Sequence, residues 1–114
     1  MVMTVQDQSV VTKTEVKQLV DLLRYQDSSI VSRVLLKNKG GTVTLFAFDI
    51  GEGLSEHTAP FDALVLATEG SADIEIAGEG FKVNQGDTII LPANLPHAVK
   101  AATRFKMLLI MIRA

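Results

Sequence analysis

From residue 30 onward the chain breaks into short apolar runs of four to eight residues, nearly each giving way to a cluster that contains Gly, Pro, Asn or Asp. Helices need longer stretches with apolar residues three and four apart, so this punctuation predicts strands and turns instead. The runs are Ile30 to Leu36, Thr42 to Phe48, a short one reaching His57, Leu64 to Thr68, Ala72 to Ala77, Phe81 to Asn84, Thr88 to Leu91, Ala98 to Ala101 and Phe105 to Ile112. Between them, Lys39-Gly40-Gly41 after Asn38, Glu69-Gly70, Gly78-Glu79-Gly80 and Gln85-Gly86-Asp87 supply glycines where tight turns need positive φ. Many short strands at regular spacing imply an all-β sandwich or barrel.

The N-terminal quarter reads differently. Residues 1–13 are polar and rich in Val and Thr without sustained periodicity, which suggests an arm, loose or laid along the body. Val16, Leu19, Val20 and Leu23 then recur at helical spacing, and Thr12 with Glu15 reads as a capping box. The expectation is a short amphipathic α-helix of about three turns packed over one end of a barrel. The division is therefore 1–28, arm and helix, followed by 29–114, the β domain.

Size and charge narrow the function classes. A chain of 114 residues, 47% of them apolar, builds one domain with its own core. The net charge of −2 is small and Lys and Arg are scattered, so nucleic acid is a poor partner. The apolar run from Met107 to Ile112 is too short to cross a bilayer, and the opening MVMTVQDQ lacks the basic-then-apolar order of a signal peptide, giving the expectation of a cytoplasmic protein without membrane partners. With no cysteine there is no thiolate nucleophile, and any metal would have to be bound by N and O atoms. The glycine-rich stretches do not match a phosphate loop, and no nucleophile-elbow signature occurs.

The chain's two histidines stand in two separated motifs. The first runs Gly51-Glu-Gly-Leu-Ser-Glu-His57-Thr-Ala59-Pro60-Phe61-Asp62-Ala63 and on to Gly70; the second runs Gly86-Asp-Thr-Ile-Ile-Leu-Pro92-Ala-Asn94-Leu-Pro-His97. Together they resemble the two motifs of the cupin family, a first half G-x5-H-x-H with a following Glu and Gly, and a second half G-x5-P-x-G-x2-H. The resemblance covers roughly residues 40 to 112. Gly51, His57, Gly70, Gly86, Pro92 and His97 match. Asn94 replaces a turn glycine, a mild change because Asn also tolerates a left-handed backbone. Ala59 stands where the second histidine belongs, and Ala63 where the glutamate belongs.

The resemblance implies a cupin jelly-roll β-barrel, of the small single-domain kind with an incomplete metal motif, and it implies that His57 and His97 face one inward site. Two imidazoles could ligate a divalent transition metal, but useful affinity takes three or more protein donors, and neither alanine can donate. Asp62, one residue before the expected glutamate, is the candidate substitute, since Pro60 interrupts the strand; Glu56, next to His57, should face the other way. The favoured reading is a small-molecule-binding protein with a reduced or lost metal centre, its ligand beside His57, His97, Ala59, Phe61 and Ala63. Phe61, after Pro60 at the mouth, could gate the cavity or serve as a plain hydrophobic plug. Two rivals stand beside this reading: a metal-dependent enzyme of dioxygenase or isomerase type using His57, His97 and Asp62, and an accessory subunit that uses the barrel as a platform.

One strand carries a further implication. Phe105, Met107, Leu109 and Met111 alternate with Lys106, Leu108, Ile110 and Ile112, so both faces are apolar and both need cover. One face should line the barrel. The other needs the opposite sheet, the N-terminal helix or a second subunit, and a homodimer through sheet packing resembles what small cupins do.

Overall fold

The computed structural model describes residues 3–5 and 14–113. Ten strands form two sheets: β1 (Met3–Val5), β2 (Ile30–Asn38), β3 (Gly41–Phe48), β4 (Gly53–His57), β5 (Asp62–Glu69), β6 (Ser71–Ile76), β7 (Glu79–Asn84), β8 (Thr88–Leu91), β9 (His97–Ala101) and β10 (Phe105–Ile112). A six-stranded sheet runs in the order β1-β2-β3-β10-β5-β8, and a four-stranded sheet in the order β4-β9-β6-β7. All pairings are antiparallel except β1 on β2. From β3 onward every connection except the β6–β7 hairpin passes from one sheet to the other, and the eight strands β3 to β10 divide four and four, which is the jelly-roll order that the cupin resemblance implies.

Period-2 alternation fills the space between the sheets. Phe48, Phe105, Met107 and Val65 from the larger sheet meet Ala72, Ile74, Val83, Val99 and Ala101 from the smaller, each 3% exposed or less. The rings of Phe48 and Phe105 tilt against each other at 5.7 Å between centroids. The space between the two sheets is thus a packed core.

The strand boundaries follow the sequence reading closely, with one instructive shift. The β6–β7 hairpin turns on Ala77 and Gly78, at φ 49° and 84°, rather than on Gly78 to Gly80. Two successive positive-φ residues make the tight turn whose twist matches the flanking strands, and Gly80 becomes part of β7 opposite Glu75.

The expected amphipathic helix is a single 3-10 turn, Leu19–Asp21. Val16 is fully exposed, and the segment from Leu19 to Tyr25 lies as a strap across the outer face of the six-stranded sheet instead of over a barrel end. Leu23 is buried there against Val31, Leu45 and Ala47. The reason lies in the backbone carbonyls. Lys106, itself only 7% exposed, donates from Nζ to the carbonyl of Val20 at 2.6 Å, and Arg33 donates from Nη1 to the carbonyl of Leu22 at 3.0 Å. In an α-helix those carbonyls would accept from residues four further on; here two cations rooted in the sheet take them. Tyr25 closes the strap, its ring beneath Lys106 and its hydroxyl donating to Glu69. Burial, and then the Glu69 carboxylate, push the Tyr25 phenol well above its usual range. Thr12 of the expected capping box and the arm from 6 to 13 lie outside the described residues.

Candidate functional site

β4 and β9 are neighbours in the smaller sheet, and their register sets His57 directly opposite His97. A bulge between Leu54 and His57 re-aims the end of β4 toward its partner. On β9 the alternation His97, Val99, Ala101 is buried, so His97 enters the barrel on the core face while Lys100 faces outward. His97 is 8% exposed and His57 is exposed: one imidazole sits at the top of the core and the other at its rim.

The loops that carry the two motifs are joined to each other. Asn94, at φ 66°, takes the left-handed conformation that its short side chain permits. Its N–H donates to the carbonyl of Ala59 at 2.8 Å, and the N–H of Ala93 donates to the Asp62 carboxylate at 2.8 Å. Ala59 therefore contributes its backbone, not its side chain. Asp62 is exposed and engaged with the second loop, and as the neighbour of inward-facing Ala63 it stands on the opposite face of β5. Ala63 is buried in the core opposite Leu91 and Met111. Phe61 is half-buried beneath the Arg113 guanidinium, 5.3 Å from its ring centroid.

The two rings meet edge to face, with centroids 4.3 Å apart and Nε2 atoms 3.1 Å apart. Each Nδ1 faces the backbone carbonyl two residues earlier: His57 Nδ1 to Ser55 at 2.8 Å and His97 Nδ1 to Leu95 at 3.3 Å. Carbonyls only accept, so each of these contacts needs a proton on Nδ1, and the contact between the two Nε2 atoms needs a third. Two neutral imidazoles bring two protons between them. The neutral pair is therefore one donor short, and the long His97–Leu95 contact is the weakest of the three. A proton, a cation or a ligand hydroxyl placed between the rings completes the set. Burial, followed by repulsion from His57, lowers the pKa of His97. The Ser55 and Leu95 carbonyls left no trace in the residue types, because any amino acid offers the same carbonyl.

Half of a metal site is present. Nitrogens 3.1 Å apart match two neighbouring ligands of one ion at bonds of about 2.0 to 2.1 Å, and both rings are oriented through Nδ1 as metal-bound histidines are. The other half is missing: among the described residues no group of three or more His, Asp or Glu converges. The residues do not fit a metal held by the protein alone.

A cupin domain profile matches residues 44–113. No curated protein matches the chain. Among solved structures, a conserved protein of unknown function from Streptococcus pyogenes is 32% identical with a TM-score of 0.86, and the match covers 91% of each chain. A cupin superfamily protein from Desulfitobacterium hafniense is 27% identical with a TM-score of 0.85, covering 90% of this chain and 94% of that one. A cupin 2 conserved barrel domain protein from Leptotrichia buccalis is 40% identical with a TM-score of 0.79, over 83% of this chain and 46% of that one. The family includes metal-dependent enzymes as well as binding proteins. With the profile spanning more than half of its length, and the jelly-roll order and both motif histidines in place, this chain belongs to the cupin family.

Proposed function

We propose that the protein is a small-molecule-binding cupin in which the metal centre of the family is reduced to a pair of imidazoles, and that its ligand sits at the barrel mouth. The observation that carries this reading is the donor-short contact between His57 and His97, set beside Ala59 and Ala63 where further ligands would stand. With both protons on Nδ1, the two Nε2 lone pairs can accept from a ligand hydroxyl or amide N–H; once one Nε2 is protonated, the pair can donate to an anionic or carbonyl oxygen. The packed core below limits the ligand to the mouth, where the loops that carry the two histidine motifs are joined by the Asn94–Ala59 and Ala93–Asp62 hydrogen bonds. Phe61, held under Arg113, is the side chain that gates entry in this reading.

Untagged protein, purified and analysed by native mass spectrometry and elemental analysis, tests the proposal. The expected result is a co-purifying organic mass, lost in both His57→Ala and His97→Ala, with metal far below one ion per chain. Near-stoichiometric metal that disappears in both variants would overturn it in favour of the enzyme reading, with the ligand or solvent supplying the missing donors.

A further inference from the structure

Where the strap crosses β2 it does not seal against the sheet: a pocket of about 300 Å3 lies between them. Asp21, Leu22, Arg24 and Gln26 line it from the strap and its end, and Val31 and Arg33 line it from β2. Arg33 stands on the outer face opposite Leu45, and its Nη1 donates to the Leu22 carbonyl at 3.0 Å. Its Nε is buried and has no acceptor. Arg24 is exposed, and no ion pair among the described residues includes Arg24, Arg33 or Asp21. Two guanidinium groups against one carboxylate leave the lining net positive, and the Gln26 amide adds a neutral donor.

We infer that this pocket is a binding site for a small oxyanion, a carboxylate or phosphate group on a compact molecule, held between Arg24 and Arg33. Three features fit that ligand. First, the other cations bound to the strap have acceptors: Lys106 has the Val20 carbonyl, and Arg104, stacked on Tyr25, has Asp27 and Asp49. Arg33 alone among these three leaves a buried donor unpaired, and such an orphan marks a partner supplied from outside the chain. Second, guanidinium donors form a planar fork that matches two oxygens of a carboxylate or phosphate, and two unpaired arginines on one pocket select that chemistry over a cation or a neutral molecule. Third, the volume lies at the lower end of the range that small-molecule sites occupy, which fits a compact acid. Because the strap supplies one wall and β2 the other, an anion bound there ties the strap to the sheet. The site lies on the outer face of the larger sheet, so it is independent of the ligand proposed for the barrel mouth.

Titration of the 15N-labelled full chain with succinate and, separately, with inorganic phosphate, at an ionic strength held constant with NaCl, tests this. The expected result is a set of saturable amide shifts centred on residues 19–26 and 31–33, with slower amide exchange across 19–25 at saturation. Saturation by both probes assigns a general oxyanion site; saturation by one alone assigns carboxylate or phosphate as the group recognised. Arg24→Gln, at an exposed position, should weaken binding about fivefold or more and leave the melting curve of the free protein unchanged. Arg33→Lys keeps a charge and a donor for the Leu22 carbonyl but loses the fork, and should weaken binding about tenfold or more. His57→Ala should leave the titration as it is in the wild type. Shifts that do not saturate with either probe, binding indifferent to both arginine substitutions, or shifts centred on His57 and His97 would each overturn the inference.

Discussion

The outer faces of the two sheets are built on opposite plans. On the four-stranded sheet Asp73 lies between Lys82 and Lys100, and Glu75 lies between Gly80 and Ala98, so a charged surface with small gaps meets water; a 470 Å3 groove runs there over Gly53, Ser55, Ala98 and Lys100. On the six-stranded sheet the same positions hold Leu45, Leu108, Leu64, Leu66, Ile90 and Ile110, and a strap of the chain's own N-terminal region is laid over part of them. Both sheets share one inner core, so the difference lies in their outer cover: the smaller sheet is finished by solvent, the larger in part by the strap. The strap contributes as much by its backbone as by its leucines, since Lys106 and Arg33 hold it by carbonyls.

The largest effect that should separate the two faces comes from truncating one residue on each. Leu45, fully buried beneath the strap, should cost about 2 to 5 kcal/mol as Leu45→Ala. Asp73→Ala on the charged face should stay within about 0.5 kcal/mol. Urea unfolding measures both, and a comparable loss at both positions would erase the contrast between the faces. Next in size is the cation under the strap. Lys106→Met keeps the stem's packing but removes the bond to the Val20 carbonyl, which should cost about 1.5 to 3 kcal/mol. The loss should appear first as faster amide exchange in residues 19–25, with β6 and β7 unchanged. If exchange rose equally in both sheets, the strap would be part of the core's cooperative unit and not a cover on it.

A smaller effect should come from the site at the end of the smaller sheet. Because burial holds the His97 pKa below its ordinary value of 6.5, the unfolded chain binds more protons than the folded one as the pH falls past that value. Stability therefore rises with pH through this window and declines on acidification below about 6.5, and thermal melts between pH 8 and pH 5 follow it. His97→Gln removes the titrating group and should flatten that part of the profile. A wild-type melting temperature that increased as the pH dropped would mean the pair gains its missing proton more readily than burial opposes it.

How much of this was legible in the sequence depends on whether the deciding interaction leaves a residue-type signature. The strands did, because period-2 burial needs apolar residues at fixed spacing: β8 and β10 begin and end where the sequence reading put them. The two histidines did, because imidazole is rare here and both sit in spaced motifs. The N-terminal helix misled for the complementary reason. Val16, Leu19, Val20 and Leu23 have helical spacing, but the competitor for their backbone is a lysine and an arginine that are distant in sequence and look like surface charges. Asp62 shows the same limit: its spacing suggested a ligand, whereas its carboxylate is bonded to the N–H of Ala93, 31 residues on. The apolar row of Leu36, Val43, Ile110, Leu64 and Ile90 across the outer face of the larger sheet was half visible, as the two-sided apolar character of β10, but its continuation through Leu36 and Ile90 required the register.

The smallest predicted effect sits in the β6–β7 hairpin of the solvent-finished sheet. That hairpin turns on Ala77 and Gly78, both with positive φ, and a left-handed conformation costs an alanine roughly 1 to 2 kcal/mol. Asn adopts it with less strain and is the favoured first residue of this two-residue turn before glycine. Ala77→Asn should therefore stabilise the protein by about 0.5 to 1 kcal/mol, after allowing for the unfolded state, and raise the urea midpoint without changing the slope. The gain should be the same in the Lys106→Met background, because the hairpin belongs to the sheet that the strap does not cover. A gain that depended on that background would couple the two faces through the shared core, and the division between a solvent-finished and a protein-finished sheet would then fail at its simplest point.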